Sequence, residues 1–284
     1  MQPDLFPPPP PAPRRTQLGH SSIHYKNAAS ILSPATGFMD SYDFTLNPYS
    51  GCSFGCTYCY AAFFARDNAE REQWGYWVNV KENALQLLQK LRKKPLLNKA
   101  IYMSSVTDPY QPIEKELELT RSLLRELATY HQVRLVVQTR SPLVTRDIDL
   151  FQRFSAVQVN MTITTDSERV RKVFEPLCPG NKVRLQAIRQ VHEAGIPACI
   201  TMTPLLPVED AHAFAQGLLA TGITRFIIQP FHTERGKFTA GTREEAVRLT
   251  QELDWTSDRY LEVLEIMKEY IPQIGEGKQG FSPI

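Results

Sequence analysis

The chain has 284 residues, 42% of them hydrophobic, and a formal net charge of +2. That length suits a single α/β barrel domain, and the near-neutral balance gives no whole-protein field that would draw it to nucleic acid. No apolar run approaches the ~20 residues of a membrane-spanning helix, so no membrane partner is expected.

Met1 to Arg15 is Pro-rich, with Pro7 to Pro11 unbroken, and lacks the pattern of a signal peptide. Residues 1–38 are therefore expected to be a largely disordered, solvated extension. Tyr42 to Leu46 then reads as a short strand leading into a cysteine-rich loop. Val80 to Leu91 has helical apolar spacing, and Ala100 to Ser104 is strand-like. Glu116 to Tyr130 predicts an amphipathic helix, Val133 to Thr139 a strand, Arg146 to Phe154 a short helix and Ala156 to Thr164 a strand. Asn181 to Ala194 is a helix stopped by Gly195. Pro197 to Thr203 is a strand, Val208 to Ala220 a helix ending near Gly222, and Arg225 to Gln229 a strand.

Six strands separated mostly by helices imply a parallel sheet with right-handed crossovers. Six units predict a partial (β/α)6 barrel of the TIM type, with its chemistry at the carboxyl ends of the strands. Residues 39–235 would form that core. Residues 236–284 would form a C-terminal extension, with a helix over Ser257 to Tyr270 packed on the barrel and a Gly-rich tail that caps one end or is mobile.

The loop after the first strand reads Asn47-Pro-Tyr-Ser-Gly-Cys52-Ser-Phe-Gly-Cys56-Thr-Tyr-Cys59-Tyr60. Three thiolates on so short a loop, at C-x3-C-x2-C spacing, can hold three corners of an iron–sulfur cube and leave the fourth iron open. A zinc site would want four ligands, yet His20 and His24 lie well upstream and no second Cys pair follows. A disulfide framework suits small secreted chains rather than one with five cysteines. Chance clustering of buried cysteines is a poor match for a loop set among Gly51, Gly55 and aromatics. The cysteine content fits a reducing, cytoplasmic compartment.

With Tyr58 before the third cysteine, the motif resembles the signature of the radical S-adenosylmethionine (SAM) superfamily. Ser104-Ser-Val-Thr-Asp108, Gln138-Thr-Arg140, Thr162-Ile-Thr164 and Phe174-Glu-Pro176 extend the resemblance to the spore photoproduct lyase group and the photolyase-like proteins around it. Asn47-Pro-Tyr49 and Val106-Thr-Asp-Pro-Tyr-Gln-Pro112 look closer to the broader group than to the lyase. The resemblance implies a [4Fe–4S] cluster on Cys52, Cys56 and Cys59, SAM as second cofactor, and an electron donor such as a flavodoxin or ferredoxin. It implies that Tyr58 lies against the adenine, that Ser104, Ser105 and Asp108 lie near the SAM amino group, and that Arg140, Thr162 and Glu175 line the same site. Each has a plainer role open to it: Ser and Thr cap helices, Asp before Pro forms turns, and arginines sit in solvent.

In one place the sequence departs from the lyase, which resembles this chain but uses a cysteine just after the second strand to return hydrogen to its product. Ser105 or Val106 stands there instead. Cys178 is then the candidate hydrogen relay, while Cys199 on an apolar strand reads as a small core residue. Tyr110, Phe231 and His232 could stack on a substrate or pack the rim. Arg92-Lys-Lys94 and Arg169, Arg171, Lys172, Lys182 and Arg184 could meet phosphates, or form solvated helix faces. Three functions are open: a radical enzyme acting on a nucleobase in nucleic acid or a nucleotide, one acting on a peptide or small metabolite, and a non-catalytic iron–sulfur carrier. A carrier would normally use a fourth nearby cysteine.

Overall fold

In the computed structural model, residues 14–231 and 244–284 are described. Among them are β1 (Gln17–Leu18), β2 (Ser21–Lys26), β3 (Leu32–Pro34), β4 (Phe44–Leu46), β5 (Tyr49–Ser50) and β6 (Trp77–Lys81). Then come β7 (Leu97–Met103), β8 (Gln132–Thr139), β9 (Ala156–Thr162), β10 (Ala198–Met202), β11 (Arg225–Ile228) and β12 (Gly275–Glu276). The larger sheet runs β12-β11-β10-β9-β8-β7-β4-β3. Its six central strands, β4 and β7 to β11, are all parallel. β3 adds antiparallel to β4 and β12 adds parallel to β11. The two edges do not meet, which leaves the barrel partial.

Alternation along the strands builds two faces. On β8, Val133, Leu135 and Val137 join the large core under helices Leu119–Tyr130 and Asn181–Glu193. Val136 faces the other way, into a cluster with Tyr42, Ala100, Tyr102, Cys199, Ile227 and Phe281. Cys199 is thus an interior packing residue. Phe281 brings the C-terminal tail onto this floor, where Arg134 and Arg225 donate to carbonyls of Ile284, Gly280 and Ser282. The tail therefore caps one end of the barrel. Helix Ser257–Tyr270 begins and ends where its spacing predicts, with Thr256 as N-cap. It meets helix Ala211–Leu219 through a Tyr270–His212 hydrogen bond of 3.1 Å.

Three expectations change. The N-terminal extension is ordered over much of residues 14–38: β1 and β2 form a second sheet with β6 and β5, in the order β1-β2-β6-β5, and β3 edges the barrel. Ile23 is buried there beside Val78 and Val80, which anchors a stretch whose polar composition disguised it. The helix read from Val80 begins later, at Ala84, because Trp77–Lys81 alternates buried and half-buried side chains as a strand. The helix read over 116–130 breaks at Glu118, which is left-handed at φ 47°. Glu114 turns back there, accepting from Thr120 N at 2.9 Å and Arg121 N at 3.3 Å, and so caps the second helix.

Candidate active site

From barrel strand β4 the chain crosses through Asn47 and Pro48 into β5 of the smaller sheet, and the cysteine loop follows β5 before the chain rejoins that sheet at β6. Two glycines make its path feasible. Gly51 is left-handed (φ +74°), and a Cβ there would stand 2.5 Å from both the ring and the carbonyl oxygen of Trp77. Gly55 is left-handed too (φ +55°), with Gly75 Cα 3.1 Å from where its Cβ would be. Residues 105–111 pin the loop from the side. Thr107 Oγ1 donates to Gly51 O at 2.6 Å, Ser53 N to Gln111 Oε1 at 3.0 Å, and Asn47 Nδ2 to Ser105 Oγ at 3.3 Å. The Tyr60 hydroxyl donates to Ser105 O.

All five cysteines are free thiols. Cys52 and Cys56 are buried and Cys59 is half-buried. Burial, with help from the Asp108 carboxylate, raises the Cys52 thiol well above its usual range. Burial and the neighbouring Cys56 push Cys59 up to about 12. Cys56 moves the other way, because Cys178, with its Sγ 3.6 Å distant, hydrogen-bonds to it. Among the described residues no three His, Cys, Asp or Glu side chains converge on one point, as a single zinc ion requires. A cube takes one thiolate at each of three separate irons, a ligand set that the three free cysteines of this one loop could supply.

Behind the loop lies a buried ionic hub. Glu175 Oε1 accepts from the Tyr58 hydroxyl at 2.5 Å, from Thr164 Oγ1 at 3.0 Å and from Arg140 Nε at 3.4 Å. Its Oε2 is 2.6 Å from Arg184 Nη2, with both side chains fully buried. Burial works against ionisation of Glu175, but Arg184 and Arg140 outweigh it and hold the carboxyl down at about 2. Arg140 Nη2 also donates to the Tyr58 hydroxyl at 3.0 Å, and its guanidinium lies 5.8 Å from the centre of that ring. Phe231 meets the same ring edge-on at 6.2 Å.

Strand register gathers the remaining groups at one edge. Met103 pairs with Val137 and Thr139 with Met161, so Ser104, Arg140 and Thr162 all end strands at the barrel mouth. Ser104 is left-handed at φ 73°, and its Oγ is buried with no hydrogen-bond partner among the described residues. Gln229 Nε2, just past β11, is likewise buried and unpartnered. Unpaired buried polar atoms cost stability unless a ligand satisfies them. Two at one mouth fit a polar cofactor. Thr162 Oγ1, by contrast, is taken up inside the barrel, accepting from Gln138 Nε2 at 2.6 Å and lying 3.1 Å from Thr201 Oγ1.

Three sequence-based assignments are corrected. Asp108 spends its carboxylate on protein donors, namely Tyr110 N, Thr139 Oγ1 and Arg140 N, each at 2.8 Å. It thereby clasps the segment after β7 to the end of β8. Tyr110 is 1% exposed and its hydroxyl donates to Asp147 at 3.0 Å within a buried Arg146–Glu114 network, so it offers no stacking surface. Arg171 and Arg184 are buried rather than solvated. His232 lies outside the described residues. Gln229 and Thr164 were given no role from sequence, and Arg184 only that of a phosphate contact or a solvated side chain. A polar residue closing a strand was the available signal for the first two, and a basic residue on an amphipathic helix gave none for the third.

A parallel partial barrel carrying three free thiols on the loop after its first central strand is the framework of an iron–sulfur enzyme of the SAM-cleaving class. The chain belongs to the radical SAM superfamily, whose sequence pattern matches residues 46–216. It is a radical SAM enzyme, and membership brings a [4Fe–4S] cluster and SAM as cofactors. An uncharacterized protein of Methanocaldococcus jannaschii is 39% identical over 164 residues, which is 58% of this chain and 61% of that protein. One from Acidianus two-tailed virus is 29% identical over 228 residues, 74% of each chain. Among solved structures, a spore photoproduct lyase variant has a TM-score of 0.62 at 17% identity, over 90% of this chain and 81% of that one. Another, with bound AdoMet and dinucleoside spore photoproduct, has a TM-score of 0.60 at 16% identity, with the same coverage. Among the described residues no helix is long and apolar enough to cross a membrane.

Proposed function

We propose that this enzyme acts on a nucleobase, in nucleic acid or in a nucleotide. The observation that carries the reading is the extent of the structural likeness. A spore photoproduct lyase complexed with dinucleoside spore photoproduct aligns with 90% of this chain, at a TM-score of 0.61. Cys52, Cys56 and Cys59 would hold the cluster. Ser104 Oγ, Ser105, Arg140 and Gln229 Nε2 would receive SAM at the mouth, with Tyr58 against the adenine and Thr162 at the end of β9 beside them. Glu175 acts one step back by fixing Tyr58 and Arg140.

Together, a [4Fe–4S] cluster and SAM would supply one-electron chemistry that ends in removal of a hydrogen atom from the substrate. The chain's own work is to orient SAM, exclude water and keep the mouth polar on one side. A flavodoxin or ferredoxin in a reducing cytoplasm would deliver the electron. The lyase's own repair step is not proposed, because Ser105 and Val106 stand where that chemistry wants a thiol.

The test is incubation of reduced enzyme and SAM with oligonucleotides and nucleotides deuterated in the base or sugar. Deuterium recovered in 5′-deoxyadenosine identifies the substrate class. SAM cleavage that transfers label only from peptides or small metabolites would refute the nucleobase reading.

A further inference from the structure

Cys178 lies outside the cysteine loop in sequence, yet its Sγ is 3.6 Å from Cys56 Sγ. Its position is fixed from several sides. Arg171 Nη1 donates to the carbonyls of Cys178 at 2.9 Å and Glu175 at 3.1 Å. Cys178 N donates to Glu175 O at 3.1 Å. The loop is tied to the same segment, because Thr57 N donates to Phe174 O at 2.9 Å. The thiol is buried in the apolar cluster that contains Cys52, Phe54 and Leu206.

We infer that Cys178 is a positioning residue for the cluster: its thiol donates a hydrogen bond to the Cys56 sulfur while that sulfur is bound to iron. This rests on the reading in which Cys56 holds one corner of the cube. An iron-bound thiolate carries no proton, so the hydrogen between the two sulfurs belongs to Cys178. Such a bond withdraws electron density from the ligand and stabilises the cluster after it has gained an electron. Hydrogen bonds to ligand sulfurs are among the determinants of cluster potential. The same geometry turns the thiol hydrogen toward Cys56 and away from a substrate radical, which replaces the relay role read from sequence.

The experiment compares anaerobically reconstituted wild type, Cys178→Ala and Cys178→Ser. It measures iron per chain, the ratio of reduced to oxidised cluster at one fixed electrochemical poise, and coupling of exchangeable deuterons to the reduced cluster in D2O. Cys178→Ala is expected to keep its iron while the ratio falls by about 2- to 10-fold, the range of one hydrogen bond, and one deuteron coupling disappears. Cys178→Ser, whose hydroxyl can still donate, is expected to keep the coupling. An unchanged ratio and an unchanged deuteron spectrum in the alanine variant would overturn the inference. If the alanine variant cannot hold iron, loss of the coupling in the serine variant overturns it instead. Iron retained by Cys56→Ala is a different result, because it removes the cluster assignment itself.

Discussion

Tyr58 donates its hydroxyl to Glu175 at 2.5 Å, which joins the cysteine loop to a carboxylate 117 residues further along the chain. Glu175 in turn neutralises Arg184, and both are fully buried. Removing the carboxylate would strand two guanidinium groups beside the loop. Glu175→Ala is therefore expected to destabilise the protein by about 3–5 kcal/mol, measured by chemical denaturation. A loss below about 1 kcal/mol would mean the hub carries little of the fold.

The same carboxylate sets an acid limit. Its folded value of about 2 lies below its ordinary 4.5, so its stabilising contribution is fully present above about pH 4.5. That contribution is lost as pH falls toward 2, and is on the order of 3 kcal/mol. Wild-type stability should drop across this window. Glu175→Gln, with nothing to titrate at that position, should show a smaller drop. Equal slopes in the two proteins would contradict the ion pairing.

Replacing Cys52, Cys56 and Cys59 singly by Ala should each abolish the cubane absorbance and leave iron near background after reconstitution. Cys199→Ala should hold its full complement, because Cys199 is on the barrel floor. Iron content by colorimetric assay checks both.

Ser104 separates ligand binding from folding. Its Oγ has no partner among the described residues, so Ser104→Ala should leave stability nearly unchanged. SAM affinity should fall by about 2- to 10-fold, the worth of one hydrogen bond. Ser104→Gly should in addition relieve the left-handed backbone and gain about 1 kcal/mol. Equilibrium dialysis with SAM and a thermal melt supply the two readouts.

Gly51→Ala should place a methyl group 2.5 Å from Trp77. Since the contact includes a backbone oxygen, the loop must shift. A loss of about 1–3 kcal/mol and poorer iron retention are expected together. Iron retention equal to wild type would show that the loop tolerates another path.

The barrel was legible because strand–helix alternation is written in apolar periodicity, and because the cysteine loop follows its first strand. The ends of β7, β8 and β9 were close to their sequence positions, so Ser104, Arg140 and Thr162 do stand at strand ends. The errors arose where side chains act at a distance. Nothing local marks Asp108 as the clasp between β7 and β8, or distinguishes the buried Arg184 from a solvated arginine. The small sheet was missed because a few residues at Ser21–Lys26 and Trp77–Lys81 are apolar only by alternation, and its partners lie far apart in sequence.

That small sheet closes the base of the cysteine loop, with β5 leading in and β6 taking up the chain beyond it. A loop whose flanking strands, β5 and β6, pair with each other cannot open at its base without breaking that pairing. A tight grip on a cluster is therefore expected to need β6 in place, paired on one side with β5 and on the other with β2. Damage to β2, which carries none of the candidate site residues, should loosen the grip on iron as surely as damage to the barrel.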